Sequence, residues 1–130
     1  MKYLARIAFM VLLLTAIIVF AGVFTNGMVK RDSDLMERYI SNIENYIKNE
    51  EWEKAETELR LLNEYWSNAH RYWSIFQNHF EIDNIDGTLS RAAMFLSSRD
   101  YSSSLAEISL LRHYIQHIPN KIAFKLENIL

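Results

Sequence analysis

Two patterns of hydrophobic and polar positions divide this chain. The first is an apolar run over residues 7–24, and no charged residue falls between Arg6 and Lys30. At about 1.5 Å per residue, such a run forms a helix roughly 27 Å long, which suits the hydrocarbon core of a bilayer. We therefore predict a membrane anchor in residues 1–29, followed by a helical domain over residues 30–130.

A cleaved secretory signal would begin in the same way, with Lys2 and Arg6 ahead of an apolar core. The segment 19–21 before Gly22 would then be the cleavage site. The apolar run continues past this site and is longer than a usual signal core, which favours an uncleaved anchor. A short basic N-terminus before one apolar helix is typical of a single-pass cell-membrane protein with a cytoplasmic N-terminus and an extracytoplasmic C-terminal domain.

The second pattern is a spacing of three and four residues between apolar positions, which is typical of amphipathic helices. A short helix begins near Asp32 or Ser33, either of which is a candidate N-cap, and a longer helix follows the turn at residues 49–51. Polar and charged residues fill the opposite faces. The predicted inward positions are Met36, Ile40, Ile43, Ile47, Trp52, Ala55, Leu59, Leu62, Trp66, Ala69, Trp73, Phe76 and Phe80.

The same pattern returns 49 residues later, where residues 98–100 correspond to the turn at residues 49–51. We therefore predict two helical hairpins, over residues of about 33–81 and 82–130. They would pack as an all-α, four-to-five-helix bundle or as a minimal tetratricopeptide-like pair, because together they bury a seam that neither buries alone.

Two helix breaks are expected in the second half of the chain. Caps at Asp83, Asn84 and Asp86 together with Gly87 predict a break between the hairpins. Pro119 predicts that the last long helix ends or kinks near residue 118, because proline removes a helical hydrogen bond. A terminal helix would then begin at Pro119. Its inward positions would be Ile122, Leu126 and Ile129.

Composition excludes several classes of function. The chain has no cysteine, so disulfides, a thiolate nucleophile and a cysteine metal site are ruled out. From Arg31 onward, eleven Lys and Arg face sixteen Asp and Glu, a mildly acidic balance that argues against nucleic acid as a partner. We find no catalytic triad, phosphate-binding loop or dinucleotide fingerprint, and predict a non-enzymatic protein without a cofactor.

Several aromatic and aliphatic positions resemble those of a known family. They are Trp66, Trp73 and the run His79-Phe80-Glu81-Ile82-Asp83-Asn84-Ile85, followed by Tyr101, Leu111 and His117-Ile118. The chain resembles domain of unknown function 4363, small single-anchor proteins of spore-forming Gram-positive bacteria. The resemblance covers most of the chain and implies a membrane-tethered helical domain, often encoded beside a multi-pass membrane protein of a YetF-like family. It implies no activity and no catalytic residue.

Candidate functional residues are few. His113 and His117 share a helix face, but Tyr114 stands where a zinc-protease motif needs glutamate, so we do not predict a metal site. We predict a module that binds and stabilises or regulates a membrane-protein partner, using outward aromatics and the residues that join the hairpins. These residues are Tyr65, Tyr72, Trp73, His79, Glu81 and Asp83. The alternative is a small-ligand or lipid-binding domain with a tryptophan-lined pocket between the hairpins.

Overall fold

The computed structural model contains four α-helices and, within residues 1–129, no β-strand. It describes the backbone of residues 1–129 and the side chains of residues 1–75, 77–120 and 128. The predicted all-α fold is confirmed. The helices are α1 (Lys2–Lys48), α2 (Trp52–Phe76), α3 (His79–Ser97) and α4 (Tyr101–Ile129).

The four helices pack as a closed ring. Helix α1 contacts α2 and α4, and α3 contacts the same two helices, whereas the diagonal pairs lie apart over the described part of the chain. A stacked tetratricopeptide-like pair would bring α1 against α3 instead. The observed contacts are therefore those of a closed bundle, in which every helix buries its apolar stripe between two neighbours.

Most of the predicted inward positions form the core of this bundle. From the first hairpin they are Met36, Ile40, Ile43, Ile47, Ala55, Leu59, Leu62, Trp66, Ala69 and Trp73. The second hairpin adds Ile85, Leu89, Ala92, Leu96, Ile108, Leu111, Ile115 and Ile118 to the same core. The side chain of Phe76 lies outside the described residues. Trp52 is only partly buried. The prediction for Phe80 was wrong: this side chain is 73% exposed and lies on α3, because α2 has already ended at Phe76.

The two hairpin turns have the same backbone geometry. Glu50 and Arg99, which are 49 positions apart, adopt left-handed φ angles of 55° and 56°. The amide of Glu51 donates to the carbonyl of Tyr46, and the equivalent amide of Asp100 donates to that of Phe95. In both turns a left-handed residue therefore ends the first helix and lets the chain reverse.

Helix α1 does not begin a new segment at Asp32 or Ser33, as we predicted from their value as N-caps. It runs unbroken from the apolar run into the bundle. Both side chains are buried and bond to other helices: Ser33 Oγ donates to the carbonyl of Ile115, and Asp32 accepts from α2. Neither therefore acts as a cap.

The break between the hairpins also lies elsewhere than predicted. It falls at Gln77 and Asn78, where the Asn78 side chain accepts a hydrogen bond of 3.0 Å from the amide of Glu81 and caps α3. The predicted break at residues 83–87 was wrong, because this segment is helical and lies inside α3. A single Asx cap at Asn78, directly before His79, is enough to start the helix.

Pro119 does not end α4, which stays helical to Ile129. A proline at this position lacks the amide that would donate to the carbonyl of Ile115, four residues earlier. Ser33 Oγ donates to that same carbonyl at 3.0 Å, so α1 supplies the hydrogen bond that proline removes. The predicted inward side chains of residues 122, 126 and 129 lie outside the described residues.

We predict that Ser33 and Pro119 are energetically coupled. Ser33→Ala should lower the free energy of unfolding by about 1–3 kcal/mol, because it leaves a buried carbonyl without a donor. In a Pro119→Ala background the loss should be smaller, because the new amide can donate to Ile115. Denaturant unfolding of the full chain in detergent, followed by tryptophan fluorescence, measures both values. An equal cost in the two backgrounds would show that the Ile115 carbonyl is satisfied in another way.

Candidate functional site

The α1 junction is the place where α1 leaves the bundle, and we define it by Val29, Asp32 and Ser33 on α1 with their partners on α2 and α4. Val29 is the first fully buried residue of the chain, at 1% exposure. Residues before it on the same helix are exposed or only partly covered. The junction therefore separates the exposed apolar part of α1 from the part that belongs to the bundle.

Asp32 carries the polar contacts between α1 and α2. Asp32 is only 7% exposed, and its two carboxylate oxygens accept hydrogen bonds from different donors. The Tyr65 hydroxyl donates to Oδ1 at 2.6 Å, and the Trp73 indole N–H donates to Oδ2 at 3.3 Å. Burial and the hydrogen bond to Asp32 raise the pKa of Tyr65 to about 12. The phenol therefore stays protonated and remains a donor at physiological pH.

Helix α4 is held to α1 by charge as well as by Ser33. Arg112 donates from Nε to Glu37 at 2.6 Å and from Nη2 to Glu44 at 2.7 Å. The guanidinium, with Lys48, holds the pKa of Glu44 below its ordinary value. Because one arginine contacts carboxylates two turns apart on α1, it fixes the register of these two helices.

The junction of α2 with α3 uses one further carboxylate. Asp86 on α3 accepts from Trp66 Nε1 at 2.6 Å, and its second oxygen lies 3.2 Å from His70 Nε2. Trp66 also packs edge-to-face against Trp73, with ring centroids 5.3 Å apart. The acidic residues at these contacts therefore orient the tryptophans, and each buried indole N–H has an acceptor.

The three predicted aromatic site residues occupy different environments. Tyr65 is half-buried with its hydroxyl paired, and Tyr72 is 50% exposed. Trp73 is completely buried, so it is not one of the outward aromatics that we predicted. Its indole N–H reaches the Asp32 carboxylate, which explains why this side of the aromatic stripe faces inward. Of the three, only Tyr72 presents a largely free ring surface.

The three residues that were predicted to join the hairpins, His79, Glu81 and Asp83, are all on the first turns of α3. His79 and Asp83 are exposed, and Glu81 is half-buried. Asp86, the nearby acid, is engaged by α2 and does not complete a carboxylate cluster with them. Within the described residues, no group of three or more acidic, histidine or cysteine side chains is placed to hold a metal ion.

Two exposed apolar side chains were not predicted from the sequence. Ile75 at the end of α2 is 70% exposed, and Phe80 at the start of α3 is 73% exposed, so they flank the link between the two hairpins. The exposure of Ile75 could have been predicted, because this residue falls between the inward positions Trp73 and Phe76 and therefore lies off the predicted inward face of the helix. The exposure of Phe80 could not have been predicted, because the spacing of apolar residues in α2 continues to Phe80 although the helix has already ended.

Surface grooves lie between neighbouring helices, and two of them are formed by α2. One of about 270 Å³ is lined by Met28, Arg31 and Asp32 of α1 and by residues of α2 that include Tyr65 and Tyr72. Another of about 360 Å³ separates α2 from α3, with Leu59, Leu89 and Ala93 among its lining residues and no tryptophan. The first of these places Tyr72 beside the α1 junction.

The part of α1 before the junction has the properties of a membrane span. This helix is long and apolar enough to cross a bilayer, and its most apolar stretch of 18 residues is not buried in the bundle. A signal sequence would meet the same criteria of length and composition. The fold is therefore a four-helix bundle whose first helix extends outward as an exposed apolar segment.

The comparison with known families identifies the bundle. A model described as a domain of unknown function, DUF4363, matches residues 23–129, so the chain belongs to this family. The match begins at the end of the apolar run and covers the α1 junction, the rest of α1 and the whole of α2, α3 and α4. No curated protein and no solved structure matches the chain.

We predict that Asp32 is worth much more to stability than its exposed neighbour Asp34. Asp32→Ala should lower the free energy of unfolding by about 2–3 kcal/mol, because it leaves the Tyr65 hydroxyl and the Trp73 indole without an acceptor. Asp34→Ala, which removes the same group two residues away, should change it by less than about 0.5 kcal/mol. Denaturant unfolding in detergent measures both.

An intermediate loss is expected for Asp32→Asn, because the amide keeps one acceptor oxygen. Equal effects of Asp32→Ala and Asp34→Ala would contradict the role assigned to the buried carboxylate.

Proposed function

We propose that this protein is a membrane-tethered, non-enzymatic module that binds a membrane-protein partner and stabilises or regulates it. The observation that supports this most strongly is the single helix α1, which is exposed and apolar in its first half and is built into the bundle in its second half. A bundle attached in this way is held at a set distance from the bilayer. Tethering confines the search for a partner to the plane of the membrane, so modest contacts suffice.

In this proposal residues 7–24 span the cell membrane, with the N-terminus in the cytoplasm and the bundle outside. The basic residues Lys2 and Arg6 before the span support this orientation. A multi-pass membrane protein is the partner class, and a YetF-like protein is the candidate implied by the resemblance alone.

The partner surface in this proposal is the end of the bundle nearest the α1 junction. Tyr72 is exposed there beside Met28 and Arg31, and the exposed side chains of His79 and Asp83 are on the adjoining turns of α3. A tyrosine offers apolar area and a hydroxyl with little loss of conformational freedom, which is why such residues are common at interfaces. An integral membrane protein can reach this end of the bundle, because it is the end closest to the proposed membrane span.

The alternative function, a small-ligand or lipid-binding domain, depends on a pocket lined by the tryptophans. Trp66 and Trp73 instead contact each other in the core, at 2% and 0% exposure. The groove between α2 and α3 is lined by charged, polar and aliphatic side chains and by no tryptophan. We therefore favour the interaction module.

The proposal predicts that Tyr72 contacts a membrane protein in living cells. A photo-reactive phenylalanine analogue at Tyr72 should crosslink to one discrete multi-pass protein in the membrane fraction. The same analogue at Tyr101, which is 42% exposed at the other end of the bundle, is the matched control and should give no such adduct. Gel shift and mass spectrometry of the tagged full-length protein identify the adduct.

Two results would count against the proposal. The first is the same set of adducts from both positions, which indicates random collision. The second is recovery of the protein outside the membrane fraction with a new N-terminus near residue 22, which shows that the apolar segment is a cleaved signal.

A further inference from the structure

The two exposed apolar side chains missed by sequence reasoning lie at one end of the bundle. Ile75 and Phe80 flank the link at Gln77 and Asn78, with 70% and 73% of their surface exposed. Isolated exposed apolar residues are normal on protein surfaces. Here, however, two large ones occupy consecutive helix ends, on either side of a two-residue link. Their position relative to α1 therefore decides what they contact.

The contacts between α1 and α2 show that this end is where α1 leaves the bundle. The Asn42 side chain bonds to Glu58, and further down α1 the Asp32 carboxylate bonds to Tyr65. As residue numbers fall along α1 they rise along α2, so the helices are antiparallel. Helix α2 therefore runs toward the apolar segment of α1 and ends beside it.

The groove between α1 and α2 shows how far this end of the bundle lies from the hydrocarbon core of the bilayer. Tyr72 lines the same groove as Met28, which is four residues or about 6 Å beyond the end of the apolar run at Phe24. The polar interface of a bilayer adds roughly 5–7 Å on each side of the hydrocarbon core. Ile75 follows Tyr72 by three residues and so lies about 4–5 Å nearer the hydrocarbon.

Basic residues of the kind found at a membrane interface lie next to this end, together with the acidic Glu81 and Asp83 at the start of α3. Lys30 and Arg31 follow the apolar run directly, and Arg31 lines the groove with Tyr72. Arg71 is exposed on the adjoining turn of α2. Basic side chains beside aromatic and aliphatic ones at one level are typical of the headgroup region, where the basic groups meet lipid phosphates.

We propose that Ile75 and Phe80 insert into the headgroup and acyl-chain boundary of the same bilayer that holds α1. This inference rests on the proposed tethering of the chain and adds a second point of membrane contact. One helix alone leaves the bundle free to rotate about the axis of α1. A second contact at the link between α2 and α3 fixes which face of the bundle is turned toward the membrane and which toward solvent.

The absence of cysteine from the sequence makes a direct test possible, because any single introduced cysteine carries the only spin label. Labels are placed by Ile75→Cys and Phe80→Cys in the full-length protein, reconstituted in nanodiscs of phosphatidylcholine and phosphatidylglycerol. Met94→Cys is the matched control, since Met94 is 69% exposed on the same helix as Phe80 and about 21 Å further along it. Leu14→Cys reports on the anchor.

The measurement is the collision rate of each label with oxygen, which concentrates in lipid, relative to a water-soluble nickel chelate. We expect this ratio to be several-fold higher at residues 75 and 80 than at residue 94, and highest at residue 14. Equal ratios at residues 75, 80 and 94, with residue 14 in lipid, would overturn this inference and leave the tether intact. A water-exposed residue 14 would overturn the tether itself.

A second copy of the chain is the other occupant that an apolar surface of this kind can have. Dipolar broadening between labels at residue 80 in nanodiscs that hold two copies would show it, and would overturn the lipid contact. Sharp spectra together with a high oxygen ratio support the inference.

Discussion

Two adjacent side chains on α1 hold the rest of the structure in place. The Asp32 carboxylate accepts from Tyr65 and Trp73 of α2, while the Ser33 hydroxyl donates to the carbonyl of Ile115 on α4. Each neighbour of α1 in the ring is therefore bonded to the same turn of that helix. Because Asp32, Ser33 and Trp73 are buried, breaking either contact leaves buried polar groups without partners. The turn of α1 that leaves the bundle is thus also the turn at which the bundle is tied together.

This arrangement connects the fold to the function that we propose. A flexible linker between an apolar segment and a soluble domain would let the domain move freely, whereas an unbroken α1 transmits the position of one to the other. The same end of the bundle carries the exposed ring of Tyr72 and the apolar side chains of Ile75 and Phe80. The bundle would then contact both a membrane-embedded partner and the lipid surface at this one end, close to the α1 junction.

Periodicity predicted the core well because it is a local property: spacings of three and four place residues such as Met36 and Leu62 on one face whatever they pack against. The helix ends were harder to predict. Asp32 and Ser33 have the chemistry of N-caps, but their partners lie 33 and 82 residues away along the chain. The hydrogen bond that compensates for Pro119 is the same long-range contact. Propensity alone could not show that these polar groups bond across the bundle and not along their own helix.

The central claim is that α1 is one rigid helix from the apolar run into the bundle. Hydrogen–deuterium exchange of the full-length protein in nanodiscs, read for the amides of residues 25–33, tests it most directly. In a continuous α1 these amides should exchange as slowly as those around Ile40 and Ile43 in the core of the same helix. Complete exchange of residues 25–33 within seconds, with the core still protected, would mean that a flexible linker joins the two parts and that α1 is not one rigid helix.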